Sequence, residues 1–182
     1  MGQNIKVILG SVRTNRAGIK VAHWVMNEAK KYSGKLNFEL IDLKELNLPF
    51  MDEPVSPMSG SNYVNKHTKV WSKIIKESDG FIFITPEYNH GVSPVLKNAL
   101  DFLYEEWTGK PVGIVGYGGS GARDSIRQLR EVINFIGLKP LEDQIGIGKI
   151  WEAFDENETL NLDEVRGDIH KIFAQLETTL SA

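Results

Sequence analysis

Three short stretches carry side chains whose types and spacing suit chemistry. The first is "TPEYNHG", Thr85 to Gly91, which sets Glu87, Tyr88, Asn89 and His90 together directly after the apolar run "GFIFI". A carboxylate and an imidazole three positions apart invite general acid–base work. The same stretch also reads as a turn. Pro86 sets φ, Asn89 and Gly91 tolerate positive φ, and Ser93 caps a following helix. A turn leaves Tyr88 and His90 beside Glu87 without a purpose.

The second stretch is "GSVRTNRAG", Gly10 to Gly18, between an apolar strand and a helical pattern. Free N–H groups at a helix start attract anions. The helix dipole alone contributes about 0.3–1 kcal/mol. Hydrogen bonds to a charged group contribute roughly 1.5–3 kcal/mol each, so side chains dominate. Ser11, Thr14 and Asn15 are uncharged donors, and Arg13 and Arg16 carry planar forks that match a phosphate. The alternative is a helix cap with two solvated arginines, but five polar donors exceed what a cap needs. No Gly-Lys-Ser/Thr follows, so this is not a P-loop.

The third stretch is "GYGGSGARD", Gly116 to Asp124. It contains G-x-G-x-x-G at Gly116, Gly118 and Gly121, and Asp143 lies about 20 residues on, as a dinucleotide fingerprint asks. That fingerprint belongs on the first strand of its unit, and only about 60 residues follow here, too few for a dinucleotide domain. The glycines instead allow backbone to approach a flat ligand closely, or simply make a chain turn. A receiver domain fails because Ser11 and Thr85 stand where acids are needed. A serine hydrolase fails because no G-x-S-x-G elbow surrounds any serine.

The elements around these stretches must place them. "IKVILG", Ile5 to Gly10, is a short β-branched run, as buried parallel strands are. Helical spacing follows from about Arg16 to Tyr32, an alternating edge strand over Leu36 to Leu43, and a proline-rich loop over Pro49 to Asn62. A second helix is expected over Val64 to Ser78, a strand over Gly80 to Thr85, and a helix from Ser93 to Tyr104 with Pro94 in its first turn. A strand over Lys110 to Gly118, a helix over Ala122 to Ile136, and a strand within Leu138 to Ile150 come next. Leu160 to Leu180 is expected as one closing helix, with Leu162, Val165, Ile169, Ile172, Phe173 and Leu176 on one face. Strands alternating with helices predict an α/β three-layer sandwich over a five-stranded parallel sheet. Right-handed crossovers favour the order 2-1-3-4-5, with ligands at the carboxyl ends of the strands. All three stretches fall there.

Composition narrows the partners. The 182 residues predict one domain at about 150 residues per domain. Apolar residues make up 41%, enough for a core without metal or disulfide. The chain has no cysteine, which excludes thiol nucleophiles and thiolate metal sites and fits a cytoplasmic, reducing setting. Its four histidines lack metal-ligand spacing, so no metal is expected. The net charge of −3 and the lack of a basic block argue against nucleic acid or a membrane surface as partner.

Taken together, "GSVRTNR", "TPEYNHGVSPVLKNALDFL" and "GYGGSGA" resemble the NAD(P)H-dependent FMN reductase family, over roughly Ile5 to Ile150. P-E-Y-N followed by L-K-N-A-x-D is the most specific part. The resemblance implies a flavodoxin-like fold, residues 1–182 as a single FMN-binding domain, and FMN and NAD(P)H as cofactors. By position, Gly10, Ser11, Arg13, Asn15 and Arg16 would cradle the FMN phosphate. Pro86, Glu87, Tyr88, Asn89 and His90 would lie along the isoalloxazine ring, mainly through backbone groups. Gly118, Gly119 and Gly121 would hold its other edge, with Tyr117 and Ser120 beside them. The protein would supply no catalytic acid, base or nucleophile, because the flavin carries the hydride chemistry. The acceptor would be small: a flavin, quinone, azo compound or metal oxyanion. The resemblance also implies a homodimer or homotetramer, formed through the helix Ser93 to Tyr104, whose apolar residues occupy more than one face. The loop Pro49 to Asn62 would then line the partner's site. A flavodoxin-type electron carrier and a flavin-binding sensor are the alternatives. Carriers tend to be strongly acidic, and this chain is not.

Overall fold

The computed structural model describes residues 2–182. In chain order the elements are β1 (Gln3–Leu9), α1 (Gly18–Lys31), β2 (Leu36–Asp42), the single-turn α2 (Leu43–Leu46), α3 (Lys66–Lys76), β3 (Gly80–Tyr88), β4 (Gly91–Val92), α4 (Pro94–Asp101), β5 (Pro111–Tyr117), α5 (Arg123–Phe135), β6 (Lys139–Ile147), β7 (Val165–Arg166) and α6 (Ile169–Ser181). The sheet order is β2-β1-β3-β5-β6-β7. The five long strands pair in parallel, and by chain order they run second, first, third, fourth, fifth, as expected.

Two short antiparallel strands are the difference. β4 folds back on β3, pairing Tyr88 with Gly91. The two residues between them, Asn89 and His90, both have positive φ, at 50° and 62°. That is the backbone of a two-residue hairpin turn, and Asn tolerates it because its short side chain bonds locally. β7 pairs antiparallel with the end of β6, and it corrects the expected closing helix. Leu160 bridges Phe154, Leu162–Glu164 is a 3-10 turn followed by β7, and α6 begins only at Ile169. Gly167 sits at φ 102°, where an added Cβ would lie 2.3 Å from the Gln144 carbonyl oxygen. Asp168 then caps α6 by accepting from the His170 N–H. Leu162 and Val165 matched the helical stripe by spacing alone, and Leu162 is exposed.

Strand alternation divides the core. Val7, Leu9, Ile82 and Ile84 face α1 and α6, meeting Val21, Val25, Ile172 and Phe173. Ile8, Phe81 and Phe83 face α3, α4 and α5, meeting Trp71, Leu96, Ile126 and Trp107. Trp107 packs edge-on against Phe81 and Phe83 and donates its indole N–H to the Leu100 carbonyl, closing the base of α4. Because the five long strands are parallel, β1, β3 and β5 end at one edge, with three loops above it. No helix among the described residues is long and apolar enough to cross a membrane.

Candidate functional site

The loop after β1 starts tightly. The Gly10 N–H donates to the Ile84 carbonyl at 2.8 Å, and Ser93 donates to the Gly10 carbonyl. A Cβ at Gly10 would lie 2.9 Å from Leu96 Cβ, so the loop passes over the start of α4 only with glycine there. Ser11 is buried, and its hydroxyl meets the Tyr88 hydroxyl at 3.1 Å. Arg16 is engaged elsewhere. Its guanidinium forks onto Asp42 at the end of β2, at 2.8 Å for one arm, and also donates to the Ser11 carbonyl. Its side chain is 8% exposed. Arg16 therefore braces the loop from behind.

The helix behind this loop is uncapped. Ala17 stands at the N-cap of α1, no side chain accepts from the first-turn N–H groups, and the first turn holds no acid. Ser11, Thr14 and Asn15 thus do not serve as caps. Arg13, Thr14 and Asn15 are exposed and take no part in the side-chain hydrogen bonds or ion pairs among the described residues. Unused donors over an uncapped helix start are the donor set that a phosphate needs.

The loop after β3 answers the acid–base question. One Glu87 oxygen accepts from the backbone N–H groups of Asp124 and Ser125, at 2.9 and 3.1 Å. These belong to the first turn of α5, whose own N-cap residue Ala122 provides no side-chain bond. Glu87 is thus the cap of α5, supplied from another strand. His90 Nδ1 lies 2.7 Å from Asp124 and 3.8 Å from Glu87. The hydrogen bond with His90 holds the Asp124 carboxyl below the usual range; Arg123 and Arg127 act in the same direction, while desolvation opposes them. The Pro86 carbonyl accepts from Thr85 and Ser125, so it is occupied within the fold. Asn89 and His90 form the exposed hairpin tip.

The loop after β5 is shaped by close approaches. A Cβ at Gly116 would meet Ala122 and Ile126 at 2.7 Å, and one at Gly118 would meet Glu87 Cβ at 3.3 Å. Gly121 adopts φ 82°. Gly119 and Ser120 stay exposed. Tyr117 is buried, and its hydroxyl lies against Gly18, where a Cβ would be 2.3 Å away. Burial pushes its phenol up to about 12; Tyr88 adds to this, and Ser11, Arg16 and Arg13 oppose it. The three loops are therefore tied pairwise: first to second through Ser11 and Tyr88, second to third through Glu87, first to third through Tyr117 and Gly18.

Asp42 and Trp151 also touch these loops, though no motif marks them. Asp42 pairs with Arg16 across 26 positions of sequence, and Trp151 rests against Gly119 from the turn after β6. Nothing in local periodicity carries either contact.

The family model described as NADPH-dependent FMN reductase matches residues 4–152. A NAD(P)H-dependent FMN reductase of Schizosaccharomyces pombe is 45% identical over 136 residues, covering 74% of this chain and 68% of that protein. One of Saccharomyces cerevisiae is 37% identical over 144 residues, covering 74% of each. The flavoenzyme NAD(P)H:(acceptor) oxidoreductase of Paracoccus denitrificans shares the fold at a TM-score of 0.65 and 21% identity, covering 98% of this chain and 93% of that one. The chain therefore belongs to the NADPH-dependent FMN reductase family and is an oxidoreductase whose cofactors are FMN and NAD(P)H.

Proposed function

We propose that the three loops hold FMN, with Ser11, Arg13 and Asn15 toward its phosphate and the loops after β3 and β5 along its ring. The observation that supports this most is the uncapped start of α1 beneath donors the fold does not use. Bound FMN supplies the two-electron relay between NAD(P)H and a small acceptor such as a quinone or free flavin. The chain's own part is to bind and orient. Arg16 stiffens the phosphate loop through the Ser11 carbonyl. Gly118 and Gly119 bring backbone to the ring edge without side chains in the way. Glu87 stays engaged with α5, so turnover calls on no protein acid or base. Mixing FMN-loaded protein with NADPH without oxygen is expected to bleach the flavin absorbance within seconds. Flavin that stays yellow would instead make the protein an electron carrier or a sensor.

The working unit in this reading is a homodimer, in a cytoplasmic setting. α4 and the turn after it offer little free apolar surface: Leu96, Ala99, Leu100, Phe102 and Leu103 are all buried within the chain. The exposed apolar surface comes from the neighbouring loop, with Phe50 at 83%, Val55 at 61% and Met58 at 58%, and from Phe135 on α5. Grooves lie on both sides of α4, one beside Phe50 and Val95, the other beside Met58 and Phe135. Exposed apolar side chains of this size around grooves support an interaction site. Light scattering is expected to give at least twice the monomer mass, and Phe50→Asp to lower it. A monomer at micromolar concentration would refute the dimer.

A further inference from the structure

Trp151 is 69% exposed, and it lies away from the apolar loop around Phe50. Its backbone is tightly held. After β6, the Gly148 N–H donates to the Glu164 carbonyl at 2.9 Å. Those of Lys149 and Ile150 donate to the Gly119 and Gly118 carbonyls at 3.2 and 3.3 Å, and Glu152 closes the turn onto the Lys149 carbonyl at 2.8 Å. Ala153, two positions on, is fully buried. The turn is thus stapled to the glycine loop on one side and to the core on the other.

The indole is placed as well. Its N–H donates to the Glu152 carboxylate at 3.0 Å. Its six-membered ring lies over Gly119, 3.4 and 3.5 Å from where a Cβ at that position would sit. A Cβ at residue 119 would sit in ordinary van der Waals contact with that ring. A large flat apolar group is therefore fixed at the edge of the site and left mostly to water. Nothing in the fold uses its exposed surface. Nearby Lys149 pairs with Glu164 rather than with the indole.

We propose that Trp151 is a substrate-stacking residue: it contacts the planar conjugated ring that exchanges electrons at the flavin. This rests on the reading that the loop after β5 borders the FMN ring. Two partners share that chemistry, the nicotinamide in one half-reaction and a quinone in the other, and both must approach the same open part of the site. Rings stack offset or edge-on against a fixed indole at small entropic cost.

The test uses the FMN-loaded holoenzyme and its Trp151→Ala and Trp151→Phe variants. FMN affinity is measured first. Failure of the wild type to bind FMN would overturn the flavin site and this proposal together. With FMN bound, the two half-reactions are then followed separately by rapid mixing without oxygen: reduction by NADPH, and reoxidation by 1,4-benzoquinone or by ferricyanide, which has no planar ring. Trp151→Ala is expected to lower the second-order rate constant about 5- to 10-fold for a stacking partner, the scale of one aromatic contact. KM should rise with kcat nearly unchanged, Trp151→Phe should stay within about 2-fold of wild type, and ferricyanide should be unaffected. A loss confined to the first step assigns the nicotinamide, a loss confined to the second assigns the quinone, and a loss in both assigns a shared place. The proposal falls if neither step changes by more than about 2-fold. It also falls if ferricyanide slows equally or if FMN affinity drops in parallel, since either would make Trp151 a support of the loop or of the flavin itself.

Discussion

Replacing Arg13 with alanine is expected to weaken FMN binding by about 10- to 100-fold and to leave thermal stability unchanged. The size follows from the loss of one charge-assisted hydrogen-bond pair, about 1.5–3 kcal/mol, at roughly 1.4 kcal/mol per tenfold. The direction follows from how the two arginines of the loop are engaged. Arg13 is exposed and has no partner among the described side chains, so its removal breaks nothing in the fold. Arg16 is held by Asp42 and the Ser11 carbonyl, and Asp42 is itself mostly buried, with 13% of its side chain exposed. Removing Arg16 leaves that carboxylate the Lys44 N–H but takes away its charged partner. Arg16→Ala should therefore lower the melting temperature as well as the affinity, whereas Arg13→Ala should affect affinity alone. Arg13→Lys should recover part of the loss, because an ammonium keeps the charge without the fork. Fluorescence titration of apoprotein with FMN, beside thermal melts of each variant, reads all of this. An Arg13→Ala protein that purifies yellow with wild-type affinity removes Arg13 from the phosphate site.

Glu87→Ala is expected to cost about 2–3 kcal/mol of stability, since it strips the acceptor from two N–H groups at the start of α5. For a chain of this size that is a fall of roughly 4–12 °C in melting temperature. The same change frees the Asp124–His90 end of α5, next to the glycine loop. Glu87→Gln keeps an oxygen acceptor in place, so it should retain more than half of the stability and nearly all of the turnover. A catalytic acid or base would behave in the opposite way, with Glu87→Gln folding normally and losing turnover by about 100-fold or more. Calorimetry together with NADPH oxidation by both variants separates the two cases, and a stable but inactive Glu87→Gln protein would return Glu87 to the chemistry.

Much of this was legible in the chain because its causes are local. Strands alternating with helical spacing, three of them near-continuous apolar runs, point to a parallel sheet covered on both faces. The three polar or glycine-rich stretches follow the strands that end at one edge, so their meeting follows from topology. The closing helix was misjudged for a reason that is also physical. Leu162 and Val165 continue the spacing of α6, but spacing reports only which residues share a face if the segment is a helix. Gly167, held at φ 102° against the Gln144 carbonyl, ends that possibility, and its cause lies on β6.

The amino-acid sequence by itself determined the layered α/β plan, the order of the long strands, the three loops and, through their motifs, the flavin family. Only the tertiary structure decided how individual side chains are used. It committed Arg16 to Asp42 and left Arg13 open. It turned Glu87 from an apparent acid into the cap of a helix on another strand, and it brought Trp151 onto Gly119. The contacts of Arg16, Glu87 and Trp151 each depend on two segments far apart in sequence coming within hydrogen-bond or van der Waals reach. Propensity and periodicity speak only of neighbours along the chain, so they carry no record of such meetings.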